Sequence, residues 1–297
     1  GQSAETTATG TVNTDKINLH GYRFQNVTTP TVDGTEVCGG YSYYGNTTNH
    51  NKFVFTTRYG YANIRGGYTN AQKGGSDENE LGFGTNEGGR ATNLYGGYTV
   101  GTAASDVDKA KDPAAKADAK KNIVRMYSGI VTGNVYGGYI AENPTTHTTS
   151  DGDARENTVI FESGSIGGDI YGGYTEGTGK TTGNTVRLHV GEVTGTVYGG
   201  NKADTTGNTL EIANQATAGK IKNFSWVRFT LNPWLISNPK PMLTLKTGVA
   251  DFDWGKFDAE GNAPEGEITL LRNENGINFG STYTGTKITL NTATNER

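Results

Sequence analysis

The side chains of this sequence best placed to do chemistry are tyrosines that recur around Gly-Gly pairs. Tyr95, Tyr136, Tyr171 and Tyr198 each precede such a pair, and Tyr41, Tyr68, Tyr98, Tyr139 and Tyr174 each follow one. Aromatic rows of this kind can stack a sugar or seat another protein, and they can equally staple a sheet by ring contact. Lys109 and Lys116 lie in a charged insertion, and Asp151 and Asp153 in a second polar one, so these four join the tyrosines as ligand-binding candidates. With Glu156, the two aspartates offer the oxygens a hard cation such as Ca²⁺ takes. Three carboxyls in a polar loop are ordinarily just hydrated, so no metal and no cofactor is expected.

What positions these residues is a repeat. Asn122 and Val135, Asn157 and Ile170, Asn184 and Val197, Asn51 and Ile64, and Asn208 and Ile221 are all separated by one interval, while Asn79 and Leu94 stand two residues further apart. The length between successive phrases varies instead. A fixed block with insertions at one vertex is the signature of a solenoid, whose units bury their apolar faces only by stacking.

Within each block, Val159 and Phe161, or Val186 and Leu188, are two apart and point to one face of a short strand. The residue between them, Ile160 or Arg187, should face solvent. Further anchors at Val131, Ile166 and Val193, then Val135, Ile170 and Val197, are separated by glycines where the chain must turn. Glycine supplies 45 of 297 residues, too many for a helical protein. The pattern predicts an all-β, right-handed parallel β-helix with about three short strands per coil. Residues 1–36 read as an N-terminal coil or cap, 37–219 as the repeats with variable loops, and 220–297 as a C-terminal β module.

That last segment carries all three tryptophans, Trp226, Trp234 and Trp254, and alternates as longer strands with a heavier core, as a solenoid cap does. The Asn row is expected to serve the turns, bonding its own turn or the Asn of the next coil. In the insertion 99–121, Asp112 followed by Pro113 predicts a short helix start. Cys38, the lone cysteine, excludes an internal disulfide and should sit on the outer side of a coil.

The sequences KIKNFSWVRFTL at 220–231, PMLTLKT at 241–247 and GEITLLRNENG at 266–276 resemble the end of the passenger domain of type Va autotransporters. Asn223 and Phe224, then Leu243 to Leu245, then Leu271, Asn273, Asn275 and Gly276 occupy the matching places. The resemblance implies a Gram-negative protein of the outer membrane or cell surface, or one secreted from it. In full length it would carry an outer-membrane barrel, which nothing here resembles, so the chain reads as an excised passenger. The terminal module would act as an autochaperone that seeds stacking.

The function expected is then adhesion to a host cell-surface protein or glycan, or to other bacterial cells, with self-association open. Two other readings stand beside it: a carbohydrate-active β-helix enzyme, and a spacer stalk for a region outside this chain. A β-helical lyase would need a basic residue beside carboxylates, and Arg125 and Arg187 share one outward position. No carboxylate pair recurs beside them in the sequence, and His20, His50, His147 and His189 are scattered without metal spacing. No enzyme is therefore expected. A net charge of −4, with the lysines of 106–121 balanced by Asp106, Asp108, Asp112 and Asp118, argues against nucleic acid.

Overall fold

The computed structural model describes residues 36–43, 48–55, 60–70, 75–84, 89–100, 117–143, 150–248, 250–251, 257–261 and 266–278, with short strands at 5–7, 12–13 and 17–18. It is a parallel β-helix. Two sheets, of twelve and nine strands among the described residues, run along it, and every strand pair in them is parallel.

The coil that begins at Asn122 shows how the sequence builds the wall. Ile123–Met126 lies in the nine-stranded sheet, then Ile130–Val131 and Val135–Ala141 lie in the twelve-stranded one. These are the three strands expected. In other coils the second and third fuse into one strand, as in Gly60–Asn70, Arg90–Val100 and Gly191–Gly200.

Register puts like on like. Val124, Val159, Val186, Leu210 and Val227 align across the nine-stranded sheet, as do Met126, Phe161, Leu188, Ile212 and Phe229. Across the other sheet Val135, Ile170, Val197 and Ile221 align. Their side chains form one continuous apolar column, with Phe53, Phe55, Phe83, Phe161 and Phe229 fully inside it. Because each buried side chain removes apolar surface only when a neighbouring coil covers it, the stacking is the hydrophobic core.

One bend uses glycine for a specific reason. Gly129, Gly164 and Gly191 have φ of 103°, 106° and 126°, and a Cβ on each would come within 2.6 Å of the carbonyl of Gly89, Gly129 and Gly164 respectively. Positive φ and a coil passing directly beneath exclude every other residue.

Two expectations change on contact with the structure. Ile160 does not face solvent: it is only 5% exposed, standing in register between Arg125 and Arg187. Insertions do not fall at a single vertex, since Phe83 and Arg90 pair with Met126 and Ile130 and so enclose extra residues at a second bend. From residue 220 the wall continues. Trp226–Leu231, a six-residue strand, pairs with Thr209–Ile212, Phe257–Gly261 follows it, and Leu243–Leu245 and Leu271–Asn273 extend the other sheet.

The strands lengthen there only in the nine-stranded sheet, from four residues to six and five, while Leu243–Leu245 and Leu271–Asn273 in the other sheet are short; Met242, Leu243 and Leu245 are buried and are joined by Leu235 from the one-turn helix Trp234–Ser237. The helix start predicted at Asp112 and Pro113 lies outside the described residues. Among the described residues no helix is long and apolar enough to cross a membrane.

Candidate functional site

The tyrosine rows rest on a buried asparagine ladder. The Nδ2 of Asn51 donates to Oδ1 of Asn79 at 2.6 Å, and the pattern continues through Asn122, Asn157, Asn184 and Asn208 at 3.0–3.3 Å. The backbone N–H of each also donates to the next Oδ1. The second Nδ2 hydrogen of Asn122, Asn157, Asn184 and Asn208 goes to the carbonyl of Ser76, Ala119, Ala154 and Thr181. Each ladder amide is thereby satisfied inside the wall. The left-handed turn residue is the one before the asparagine: His50, Glu78, Lys121, Glu156, Gly183 and Gly207 all have φ between 55° and 70°.

The ladder and the next coil's backbone together explain the Gly-Gly pair: a Cβ on Gly96, Gly137 or Gly172 would first meet the carbonyl of Gly137, Gly172 or Gly199 at 2.4–2.5 Å. A Cβ on Gly67, Gly97 or Gly138 would stand 2.5–2.6 Å from Nδ2 of Asn79, Asn122 or Asn157. A Cβ on Gly96, Gly137 or Gly172 would meet the Cβ of the same asparagines' row at 2.6–3.0 Å. The asparagines occupy the space under two bare backbone units, and the chain bends there. That bend brings tyrosines three residues apart onto one outer surface, where an unbroken strand would send them to opposite faces.

The rings pack as a herringbone. Tyr95, Tyr136, Tyr171 and Tyr198 stack at 4.9, 5.3 and 4.7 Å with planes within 7° of parallel, and Tyr98, Tyr139 and Tyr174 stack at 5.0 Å. Between rows the rings meet edge to face, as Tyr136 and Tyr139 do at 4.8 Å and 78°. In the coil before Tyr95 the first row has Arg65, itself buried, whose guanidinium lies 4.1 Å from the centre of Tyr98, 4.7 Å from Tyr68 and 5.3 Å from Tyr95. Cation and ring quadrupole attract, so Arg65 closes the row.

Hydroxyls at the rim are held too. Tyr139 donates to Glu176 Oε1 at 2.5 Å and Tyr171 to Asp169 Oδ2 at 3.0 Å, while Tyr136 accepts from Asn134 Nδ2 at 2.9 Å. Burial pushes the Tyr136 hydroxyl up to about 12, and burial reinforced by the adjoining carboxylates pushes Tyr139 and Tyr171 well above the ordinary tyrosine range. Ring faces within the rows are covered by neighbouring rings. What the strip offers a ligand is therefore ring edges and hydroxyls.

The other predicted residues separate. Lys109 and Lys116 lie outside the described residues. Asp151 is half-buried, and Asp153 is committed to the wall: its Oδ1 accepts from the Lys180 N–H at 2.8 Å, its own N–H donates to Asp118 Oδ1 at 2.9 Å, and Arg155 Nε lies 3.7 Å away. Glu156 pairs with Arg155 instead of joining the aspartates. Among the described residues no group of three His, Cys, Asp or Glu could hold a metal. Cys38 is partly exposed and in register with Arg65.

Carboxylates do stand beside the outward arginines, contrary to the sequence-based expectation. Arg125 reaches Glu162 at 2.8 Å, with His189 3.4 Å from the same carboxylate, and Arg187 is paired to Glu211, which Arg228 approaches at 3.9 Å. Glu162 stands two residues past the repeat position of Arg125, whereas Glu211 occupies the same position as Arg187 and Arg228 in the coil between them.

A second polar ladder also went unread: Asn93 Nδ2 donates to Asn63 Oδ1, and the N–H groups of Asn134, Asp169 and Thr196 donate in turn to the Oδ1 of Asn93, Asn134 and Asp169. Its signal is the polar residue directly before each third apolar anchor.

The two longest insertions share one edge. Thr69, Thr99, Ile140 and Thr175 align where the chain leaves the wall. On return, Ser76 N–H donates to the Asp118 carbonyl, Ala119 to Asp153 and Ala154 to Lys180, at 2.8–3.0 Å. Ala119, Ile140 and Ala154 form a small apolar cluster at this edge. Residues 117–121 and 150–156, at the ends of the insertions read from the sequence, are thus coil wall, while 71–74, 101–116 and 144–149 lie outside the described residues. Comparison with protein-family models, curated proteins and solved structures finds no match to this chain.

Proposed function

We propose that this chain is a surface-displayed passenger of the type Va autotransporter kind and acts as an adhesin, holding a host cell-surface protein or glycan, or another bacterial cell, through loops carried on a rigid β-helix. The observation that supports this reading best is the shared edge. Segments 71–74, 101–116 and 144–149 spring from consecutive coils whose roots are hydrogen-bonded to one another, so they stand about 4.8 Å apart at their bases. Loops of free length on a scaffold of fixed geometry are a general arrangement for recognition.

The mechanism is contact without chemistry. Several weak contacts along the edge act at high effective concentration once the first has formed, so their energies reinforce one another. The continuous wall fixes the spacing of the loop roots, so that spacing need not be ordered on binding. The outward arginines, which a lyase would use as a base, are held in ion pairs with Glu162 and Glu211.

A glycan and host-protein array probed with the chain tests the proposal, beside a variant whose residues 101–116 and 144–149 are replaced by short turns. Binding lost in a variant that keeps its β circular dichroism supports adhesion through the loops. Binding retained moves the site to the tyrosine strip, silence from both proteins favours a stalk, and shortening of an arrayed glycan would revive the enzyme.

A further inference from the structure

The edge at which segment 101–116 rejoins the wall contains a carboxyl group with two different neighbours. Asp77 lies in the strand Ser76–Asp77, which pairs in parallel with Thr48–Asn49, so that Asn49 stands directly beside it in the preceding coil. On the other side the Lys120 N–H donates to Asp77 Oδ1 at 3.1 Å. The Lys120 ammonium lies 3.5 Å from Asp77 Oδ2 and 3.7 Å from Asp118 Oδ2, so one cation serves two carboxylates. The remaining charged groups nearby, Glu78 with His50 at 2.6 Å and Lys121 at 3.9 Å, form a separate and more exposed set.

Asn49 carries the informative atom. Its Oδ1 is buried and accepts no hydrogen bond. A buried carbonyl oxygen without a donor is unfavourable, and the polar side chain placed beside it in register is a carboxyl that becomes a donor only when protonated.

We propose that Asp77 and Asn49 form a proton-operated clasp at the root of the 101–116 segment: the protonated carboxyl donates from Oδ2 to Asn49 Oδ1 while Oδ1 keeps the Lys120 N–H, and release of the proton to solvent opens the contact. Opening leaves Asp77 and Asp118 both ionised around a single ammonium. Closing returns the trio to neutrality. Burial, the largest influence, raises Asp77 to about 6 despite the opposing attraction of Lys120, which places the transition within the range a cell surface meets. The sign follows from that direction. The folded chain holds the proton more tightly than the unfolded one, so the clasp's stabilisation is present in acid and is lost as pH rises through about 6. The insertion is held most firmly at its return point in mild acid.

The test uses the full chain and needs no ligand. The side-chain carboxyl of Asp77 is titrated by carbon NMR, assigned by its disappearance in Asp77→Asn, and amide exchange is followed at Asp118 and Lys120. The expected titration midpoint lies near 6 and falls by about one unit in Asn49→Ala, which lacks the acceptor. Exchange at Lys120, corrected for its intrinsic pH dependence, should slow about tenfold between neutral pH and mild acid.

In Asp77→Asn the amide donates to Asn49 and still accepts from Lys120, so exchange should be slow at both. A midpoint unmoved by Asn49→Ala, or a pH dependence that persists in Asp77→Asn, overturns the proposal. A midpoint below the ordinary carboxyl value does too, because Asn49 would then present its NH₂ to an ionised Asp77. Should Asn49→Ala not fold, Asp77→Asn decides alone.

Discussion

At the residue scale, the repeat's signature is a packing relation between an asparagine and two glycines. Gly67 tests it, because the nearest atoms to an added Cβ all belong to the side chain of Asn79, at 2.5–2.8 Å. Gly67→Ala alone should cost about 1–3 kcal/mol through overpacking, and Asn79→Ala a similar amount by stranding its ladder partners. The double variant should cost at least about 1 kcal/mol less than their sum, since the alanine methyl then has room. Urea unfolding of the four proteins measures this, and strict additivity would show that the glycine answers to backbone alone.

The ladder hydroxyls give a second residue-scale prediction. Tyr136 stays neutral up to about 12 in the folded chain, above its unfolded value, so the native state holds the proton more tightly. Its contribution to stability is complete below the unfolded value of about 10 and lost as pH climbs through the folded one. Phenolate absorbance should therefore lag behind that of an unfolded control and catch up in one cooperative step with loss of β circular dichroism. The rows of Asn and Tyr were legible in the sequence because each copy repeats them. That the glycines exist for the asparagines was not, because the two are brought together across coils.

At the scale of the elements, the two sheets are held differently on their outer faces. The twelve-stranded sheet carries the aromatic herringbone, and the nine-stranded sheet carries alternating charge: Arg187, Glu211, Arg228 and Asp258 follow one another in register. Glu211 is the hinge of that series, its Oε2 accepting from Arg187 Nε at 2.6 Å. Glu211→Gln should lower stability by about 0.5–1 kcal/mol, and by less as salt is added, since it leaves Arg187 and Arg228 on either side of a neutral residue. A loss independent of salt would mean that packing, not charge, is what the position supplies.

In the herringbone, Tyr136→Ala should cost about 3–4 kcal/mol by opening a gap between Tyr95 and Tyr171. Tyr136→Phe, which keeps the stack, should cost under about 1.5 kcal/mol. Strand positions followed from the spacing of apolar pairs. Partners on the outer faces did not, as the burial of Ile160 between two arginines shows.

For the whole molecule, the wall predicts that a coil can be removed. Deleting residues 157–183 joins Glu156 to Asn184, sets Val186 against Val124 and Leu188 against Met126, and lets Asn122 donate to Asn184. The product should fold, with its long axis shorter by about 4.8 Å. It should be less stable than the parent, because Arg125 then loses Glu162 and faces Arg187. Small-angle scattering and circular dichroism check both points, and a collapsed product would contradict the independence of the coils.

The sequence by itself determined the solenoid, its apolar column and the stacked rows. It could do so because in-register parallel stacking sends equal positions of the repeat to equal places in space, so periodicity in the chain is periodicity in the fold. The tertiary structure alone decided that the asparagines fill the space of missing Cβ atoms, that the ring faces are spent on one another, that the arginines are paired and that Asp77 stands in register beside Asn49. Each of these is a contact between residues in different coils at unlike positions of the repeat or in unlike chemical company, and only the geometry of stacking brings them within reach.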